Sequence, residues 1–474
     1  MVYSIRLCAV AYLGIDLGTG GIRCVLIRED GSVIVEVSRS LPCLNRSSKA
    51  GESEQDALDW IRCLEDAFDE LFSVPHHRRV LSVAIDSTSG TVLPVNQEGH
   101  PLGHAFLHND VRAIDEAEEC RSLFGGECSP TFALPKILWM QRRLRLPDNA
   151  RFLHATDFLN VWVSGLIEIP TDFTNAMKTG VDLETKDWLE DLPSINLPFI
   201  VAPGQLIGEI SLVHKQRWGL SGSCLLVSGA TDSNAAFYAS GAGRIGEWST
   251  TIGTTLAVKG LSKNRLFDRL GRIYCHRHPD GSWLPGGASN AGGEILKDRF
   301  GTRLQTLENQ IPTFPTKTPL FYPSIRKGER LPFTDPHFKP FGVSGAVGES
   351  EFFIGCLEGL AFVELMVYQL LEKFGAEVGP FIFATGGAAK SKMGLQIRAE
   401  MLQRSILIPE YPNSAMGAAI LAIAGHTSRT VGEISGEVVN IVTQVDPSAK
   451  PDPARQNRFE RFCQLCHQGS NQSE

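Results

Sequence analysis

The sequence predicts an α/β protein built from two related domains, and three observations carry that reading. The chain has 474 residues, more than one compact core takes and about right for two or three domains of ~100–200 residues each. Apolar runs that end in a glycine-bearing turn recur along it, several of them leading into segments of helical periodicity. One such unit, strand–hairpin–strand, occurs twice, first around Gly18-Thr19-Gly20 and again around Gly253-Thr254-Thr255. The echo suggests an internal repeat.

Taken in order, residues 11–17 form an apolar strand, Gly18 to Gly21 a turn, 22–28 a second strand and 33–37 a third. Asp30-Gly31 between apolar runs is a hairpin signal. The chain therefore opens with an antiparallel meander and not with a βαβ unit. Over 55–72, Trp60, Cys63, Leu64, Ala67, Phe68 and Leu71 recur at helical spacing. Residues 80–85 read as a buried strand ending in Asp86-Ser87-Thr88-Ser89-Gly90, and 92–95 are expected to pair back on it as a second hairpin. A short strand over 225–227 leads through Gly229-Ala230-Thr231-Asp232 into a helix, and the strands 247–252 and 256–259 restart the opening pattern. Residues 312–340, rich in Pro and charge, read as an exposed irregular excursion. A long helix over 351–374, a strand over 381–384, a Gly386-Gly387 turn and a helix over 393–403 follow. The small-residue helix 415–424 is suited to close packing on a sheet, and the polar end of the chain, from about 451, is expected to be partly helical and then frayed.

Composition narrows the function. Apolar residues make up 43% and charged residues 21%, the balance of a soluble globular protein, which excludes a disordered, collagen-like or coiled-coil chain. Lys and Arg number 45 against 53 Asp and Glu, a net charge of −8, so neither nucleic acid nor an anionic membrane is an expected partner. No apolar stretch approaches the ~20 residues of a membrane span. The apolar run 7–15 passes straight into Asp16-Leu17-Gly18-Thr19 with no small-residue cleavage site, so it reads as a buried strand rather than a signal peptide. Eleven scattered cysteines suggest reduced thiols and a cytoplasmic setting. Cys463-Gln464-Leu465-Cys466-His467 has the spacing of covalent haem attachment, but without an export signal it reads as one face of a terminal helix.

Three familiar nucleotide motifs are missing. There is no Gly-Lys dipeptide for a Walker A loop, Gly18-Thr19-Gly20-Gly21-Ile22-Arg23 lacks the third glycine of a dinucleotide fingerprint, and no His-Arg-Asp signature occurs. Four other features can carry chemistry. Asp16-Leu17-Gly18-Thr19-Gly20-Gly21 ends an apolar strand; its glycines let backbone amides approach phosphate oxygens, and a carboxylate just before the turn can hold Mg²⁺. The same residues also make a plain hairpin. Ser249 to Thr255 offers a second hydroxyl–glycine hairpin, equally readable as a Thr-rich turn. Asp232 at a strand-to-helix junction is either a helix N-cap or a general base. Gly386-Gly387-Ala388-Ala389-Lys390-Ser391 leaves room for a flat ring or a ribose against the backbone.

In this order and spacing the chain resembles the FGGY carbohydrate kinases of the actin-like ATPase superfamily, over about residues 11–425. His108-Asn109-Asp110-Val111-Arg112 looks like the Asn-Asp-x-Arg segment of xylulose kinases, and His154 to Leu159 with Thr171 to Ala176 is similar to the family's sugar side. Ala84 to Leu93, Gly286-Gly287-Ala288-Ser289-Asn290 and Gly328-Glu329-Arg330 resemble the xylulose-kinase-like D-ribulose kinases of photosynthetic organisms.

The resemblance implies two RNase H-like domains with a ligand cleft between them. Residues 10–240 would form the N-terminal, sugar-side domain, 241–428 the C-terminal domain, and 429–474 an extension. It implies ATP and Mg²⁺ as cofactors, a small-molecule ketose as substrate, and a monomer or homodimer. Asp232 would be the catalytic base, and Asp16 would sit near Mg²⁺ and the sugar hydroxyls. Gly18, Thr19 and Gly20 would face the γ-phosphate, Ser89 the ketose, Gly253, Thr254 and Thr255 the β- and γ-phosphates, and Gly386, Gly387 and Ser391 the adenosine. The relatives carry Gly where Ala388 stands, Asn where Ser391 stands, Trp where Gly394 stands and a hydroxyl residue where Gly20 stands, so the Trp stack on adenine and one loop donor are lost. The implied reaction is ATP-dependent phosphorylation of D-ribulose, with D-xylulose as the alternative ketose and a nucleotide-gated sugar-binding protein of little turnover as the alternative class.

Overall fold

The computed structural model describes residues 10–126, 128–311, 318–342, 347–448 and 452–469. Two compact units emerge. Unit 1 holds the chain up to Ala239 and then Asn413–Val438; unit 2 holds Ser240–Pro412 and the chain from Val439. The division falls differently from the expected stretch 241–428, because the chain returns to unit 1 after Pro412.

Unit 1 is organised by a six-stranded sheet in the order Leu206–Glu209, Leu225–Val227, Val80–Ser87, Ala11–Gly18, Gly21–Ile27, Val33–Ser40. The opening meander is antiparallel as the turn residues predict, with Gly31 at φ +81°. Ala11–Gly18, Val80–Ser87 and Leu225–Val227 run parallel at the centre. The helix Ala57–Leu71 starts at Asp56, whose carboxylate accepts from the Leu58 amide, and buries Trp60, Cys63, Leu64, Ala67, Phe68 and Leu71. Val92–Val95 is not the second arm of a hairpin. Val80–Ser87 already has a partner on each edge, so Val92–Val95 joins Glu54–Gln55, Ala105–Phe106 and Arg151–His154 in a separate four-stranded sheet.

The helix Ser414–Thr427 covers the large sheet of unit 1. A Cβ on Gly14 would lie 1.8 Å from the Ala415 carbonyl oxygen and 2.4 Å from the Ala419 nitrogen, and one on Gly417 would lie 1.8 Å from the Ala235 carbonyl oxygen. Backbone meets backbone at both places, and Ser82 Oγ donates to the Ala422 carbonyl at 2.7 Å.

Unit 2 repeats the plan. Its seven-stranded sheet runs Tyr274–Arg277, Trp283–Ser289, Leu256–Gly260, Trp248–Ile252, Phe381–Thr385, Ser405–Pro409, Ile441–Val445. A hairpin, Trp248–Ile252 with Leu256–Gly260, leads to two parallel neighbours and then an antiparallel edge, as in unit 1. The helix Glu349–Lys373 is 25 residues long and, by length and composition, apolar enough to cross a membrane, which the sequence reading overlooked. Most of it is buried in the core of unit 2.

The described part of 312–340 is irregular but not an exposed excursion. Phe321, Tyr322, Leu331 and Phe338 are buried in the same core. Prolines erase the periodicity there, and the aromatic residues between them are the signal that goes unread. The terminal helix Pro453–Gly469 seals this region: Phe459, Phe462 and Cys466 are buried, and Phe462 stacks on Tyr322 with ring centroids 5.8 Å apart. Cys463 and Cys466 thus do lie on one helix face. Arg455 and Arg458 from this helix both pair with the buried Glu358. Deleting residues 452–474 is expected to strip Glu358 of both arginines and cost unit 2 about 3–5 kcal/mol. A lower melting temperature with new binding of a hydrophobic dye would register it; an unchanged melt would refute it.

Candidate active site

In unit 1 the parallel strands bring carboxylates together at their C-terminal ends. Asp16 on Ala11–Gly18 is the direct register partner of Asp86 on Val80–Ser87. Asp16 Oδ2 accepts from Ser414 Oγ at 3.1 Å, and its Oδ1 is buried with no partner among the described residues. Asp86 is fully buried and neither of its oxygens has a donor among the described residues. Burial first, then the Asp16 carboxylate in contact with it, then Asp232 and Asp172, hold the Asp86 carboxyl well above the usual carboxylate range.

Asp232 is the first residue of the helix Asp232–Tyr238; the N-cap position belongs to Thr231. Its placement is fixed from two sides. Thr231 bridges to Ser87, and Ser87 N donates to the Ala230 carbonyl. Thr231 N donates to Thr174 Oγ1 at 2.9 Å. Thr174 in turn belongs to the short helix Phe173–Ala176, whose N-cap Asp172 accepts from the Thr174 and Asn175 amides and from both their side chains. The segment 171–176 therefore acts as a frame for the start of the Asp232 helix. Asp110 and Arg112, by contrast, are scaffold: Asp110 is buried, accepts from the Ser53 amide and pairs with Arg112.

The tip Gly18-Thr19-Gly20 of the first hairpin is tied down through backbone, with Gln55 Nε2 donating to the Thr19 carbonyl and Leu41 N to the Gly20 carbonyl. Thr19 and Gly20 are exposed, and a Cβ on Gly20 would meet nothing within 4 Å. Ser89 lies in the turn after Val80–Ser87, and its carbonyl accepts from Lys178 Nζ at 3.4 Å.

Unit 2 contains a cavity of about 680 Å³ lined by Gly253 and Thr254 on one side and Gly387 and Ser391 on another, with Phe353 and Leu357 as apolar wall. Thr255 and Gly386 are not in its lining; Gly386, at φ +83°, instead makes the turn, where a Cβ would lie 2.6 Å from the Ile252 carbonyl oxygen. Ser391 is the N-cap of Lys392–Leu402, accepting from the Gly394 amide and donating to Glu308 Oε1 at 3.0 Å. Sequence reasoning missed Glu308, Glu294 and Lys297 in this lining. The Gly292-Gly293 pair before the helix Glu294–Phe300 was the available signal. A larger cavity of about 900 Å³ elsewhere in unit 1, beside Cys120 and Trp188, contains none of the predicted residues.

The second hairpin is backed by residues 289–293. Gly293 N donates to the Gly253 carbonyl, and a Cβ on Gly292 would lie 2.0 Å from the Thr254 carbonyl oxygen. Glu329 pins this backing: the buried carboxylate accepts from Ser289 Oγ, the Asn290 amide, Tyr322 Oη and the Arg330 amide. Glu329→Gln is expected to cost about 1–3 kcal/mol in urea unfolding and to weaken nucleotide binding. Unchanged affinity would separate this carboxylate from the loop.

Comparison with known proteins settles the family. The FGGY carbohydrate kinase N-terminal domain matches residues 11–238 and the C-terminal domain residues 251–426. The chain belongs to the FGGY family of carbohydrate kinases. It is 26% identical over 449 residues to a xylulose kinase of Bacillus subtilis (87% of this chain, 88% of the relative) and 24% identical to a gluconokinase of the same organism (87% and 86%). The solved xylulose kinase of Brucella ovis superposes with a TM-score of 0.84 at 22% identity, covering 96% of this chain and 98% of that one. The fold is thus that of FGGY kinases, the actin-like ATPase fold, and the protein is a sugar kinase acting on a small-molecule sugar. The FGGY relatives named here are xylulose kinases and a gluconokinase, not ribulose kinases.

Proposed function

We propose that this FGGY kinase transfers the γ-phosphoryl group of ATP to the terminal hydroxyl of a free ketopentose, D-ribulose in the first place. The observation that carries the reading is in unit 1, where Asp232, framed by Thr231 and Thr174, shares its surroundings with Asp16 and Asp86 at the ends of parallel strands. Asp232 is the base: its carboxylate takes the hydroxyl proton as the oxygen attacks the γ-phosphorus and ADP leaves. Ser89 binds the ketose.

The residues present suit ATP and Mg²⁺. The space above Gly20 and Gly253, where a Cβ would meet nothing within 4 Å, lets backbone amides approach phosphate, and the same open space above Gly387 leaves room for a flat ring or a ribose. The unpartnered Oδ1 of Asp16 suits a divalent cation, which when bound offsets phosphate charge. Gly18, Thr19 and Gly20 would face the γ-phosphate, Gly253, Thr254 and Thr255 the β- and γ-phosphates, and Gly386, Gly387 and Ser391 the adenosine.

D-Xylulose is the second reading, favoured by the xylulose kinase relatives. ADP release with D-ribulose, D-xylulose, ribitol, gluconate and glycerol decides. The highest kcat/KM is expected for D-ribulose. A preference for gluconate or glycerol would sink the ketopentose reading, and nucleotide binding without sugar-dependent ADP release would make the chain a binding protein.

A further inference from the structure

Lys178 follows the frame helix Phe173–Ala176 and points at the predicted sugar residues. Its stem runs beside Gly90, where a Cβ would lie 3.0 Å from Lys178 Cδ and 3.6 Å from Nζ; only glycine at this position, φ +80°, leaves that room. Its ammonium makes one hydrogen bond among the described residues, the long one to the Ser89 carbonyl at 3.4 Å. An ammonium has three donors. Burial pushes its pKa down, and the Asp232 carboxylate draws it back toward the charged form.

Its neighbours do not use it as scaffold. Lys136, completely buried nearby, is satisfied by the Gly90 and Leu107 carbonyls at 2.9 and 2.5 Å. His108 feels both lysines as repulsion, and its Nδ1 is buried with no partner among the described residues. A desolvated cation with unspent donors, flanked by Asp232 and the turn of Ser89, is poorly placed for stability and well placed for a ligand.

We propose that Lys178 reads the carbonyl of the substrate: its ammonium donates to the C2 oxygen of an open-chain ketose and so favours ketoses over polyols of the same length. This rests on the ketopentose reading above. The chemistry of the neighbours sorts the sugar's oxygens. The Asp232 carboxylate and the Ser89 carbonyl only accept, so they suit hydroxyls, which donate. The ammonium only donates, and a ketone oxygen only accepts. The carbonyl carbon is not the reacting centre, so this bond is made equally in ground and transition states. Its loss should raise KM and leave kcat nearly unchanged.

The test compares wild type, Lys178→Met and Lys178→Gln on D-ribulose, D-xylulose and ribitol, with melting temperatures. In Lys178→Met, KM for the ketoses is expected to rise about 10- to 100-fold, the worth of one charged hydrogen bond, with kcat and the ribitol KM changed less than about threefold. Lys178→Gln, which keeps a donor, should recover part of the loss. Melting temperatures should hold, since the ammonium has a single long bond. A loss spread evenly over ketoses and polyol, a fall in kcat alone, or a collapse of the melt in both variants would overturn the assignment. Wild type inactive on every ketose would overturn the function reading and this one together; an active wild type with an unchanged preference in Lys178→Met would overturn this one alone.

Discussion

Asp232→Asn is expected to lower kcat for the sugar by at least about 10²–10⁴-fold, the range of a general base, with nucleotide affinity and melting temperature close to wild type. Asparagine keeps the size and one oxygen of the side chain but cannot take a proton at neutral pH. The Ser233 amide, which donates to Asp232 Oδ1 at 2.6 Å, keeps an acceptor. The helix start also remains, because Thr231 and not Asp232 occupies the cap position and is held by Thr174 and Ser87. The cavity lined by Gly253, Thr254, Gly387 and Ser391 lies in unit 2 and loses nothing. ADP release with saturating sugar, set beside a nucleotide titration, separates the two quantities. Near-native turnover in this variant would remove Asp232 from the role of base.

The second large effect is on stability. Gly14→Ala should destabilise unit 1 by about 3 kcal/mol or more, an overpacking cost at the upper end of its range. The added carbon would fall 1.8 Å from the Ala415 oxygen and 2.4 Å from the Ala419 nitrogen. Both are backbone atoms of one helix and have no rotamer to retreat into. Relief requires Ser414–Thr427 to lift off the strand, which also strains the Ser82–Ala422 hydrogen bond and the Ser414 contact with Asp16. Gly20→Ala is the control. Its Cβ meets nothing within 4 Å, so the melt should stay put while nucleotide affinity falls. Equal melts for Gly14→Ala and wild type would show that helix and strand are held less rigidly than their contact distances indicate.

Local order was legible where the chain states it locally. The opening meander follows from alternating apolar residues and Asp30-Gly31, and the helix of Trp60 and Phe68 from their spacing. Val92–Val95 was misassigned because a turn says that the chain bends, not which strand edge is vacant. Phe321, Tyr322 and Phe338 read as surface because prolines around them break any period, yet all three are buried. In the candidate site, Asp16, Asp232, Gly253 and Gly387 stand out because they follow apolar runs, whereas Ser89 is named only through the family resemblance. In the sequence Asp86 reads only as the end of a strand entering a turn; its fully buried carboxyl, without a donor among the described residues, arises only when two parallel strands align it with Asp16. Lys178 and Glu308 take their meaning from distant partners, Ser89 and Ser391, and no short motif announces them.

The late return of the chain to unit 1 has a consequence for synthesis. On the ribosome, Ala11–Gly18 and Val80–Ser87 emerge more than three hundred residues before the segment that shields them, Ser414–Thr427. Until that segment leaves the exit tunnel, one face of the growing sheet is bare of its helix. Nascent chains stalled before residue 413 should be clients for holding chaperones, and a gene cut after residue 239 should yield an insoluble fragment rather than a free-standing sugar-binding module.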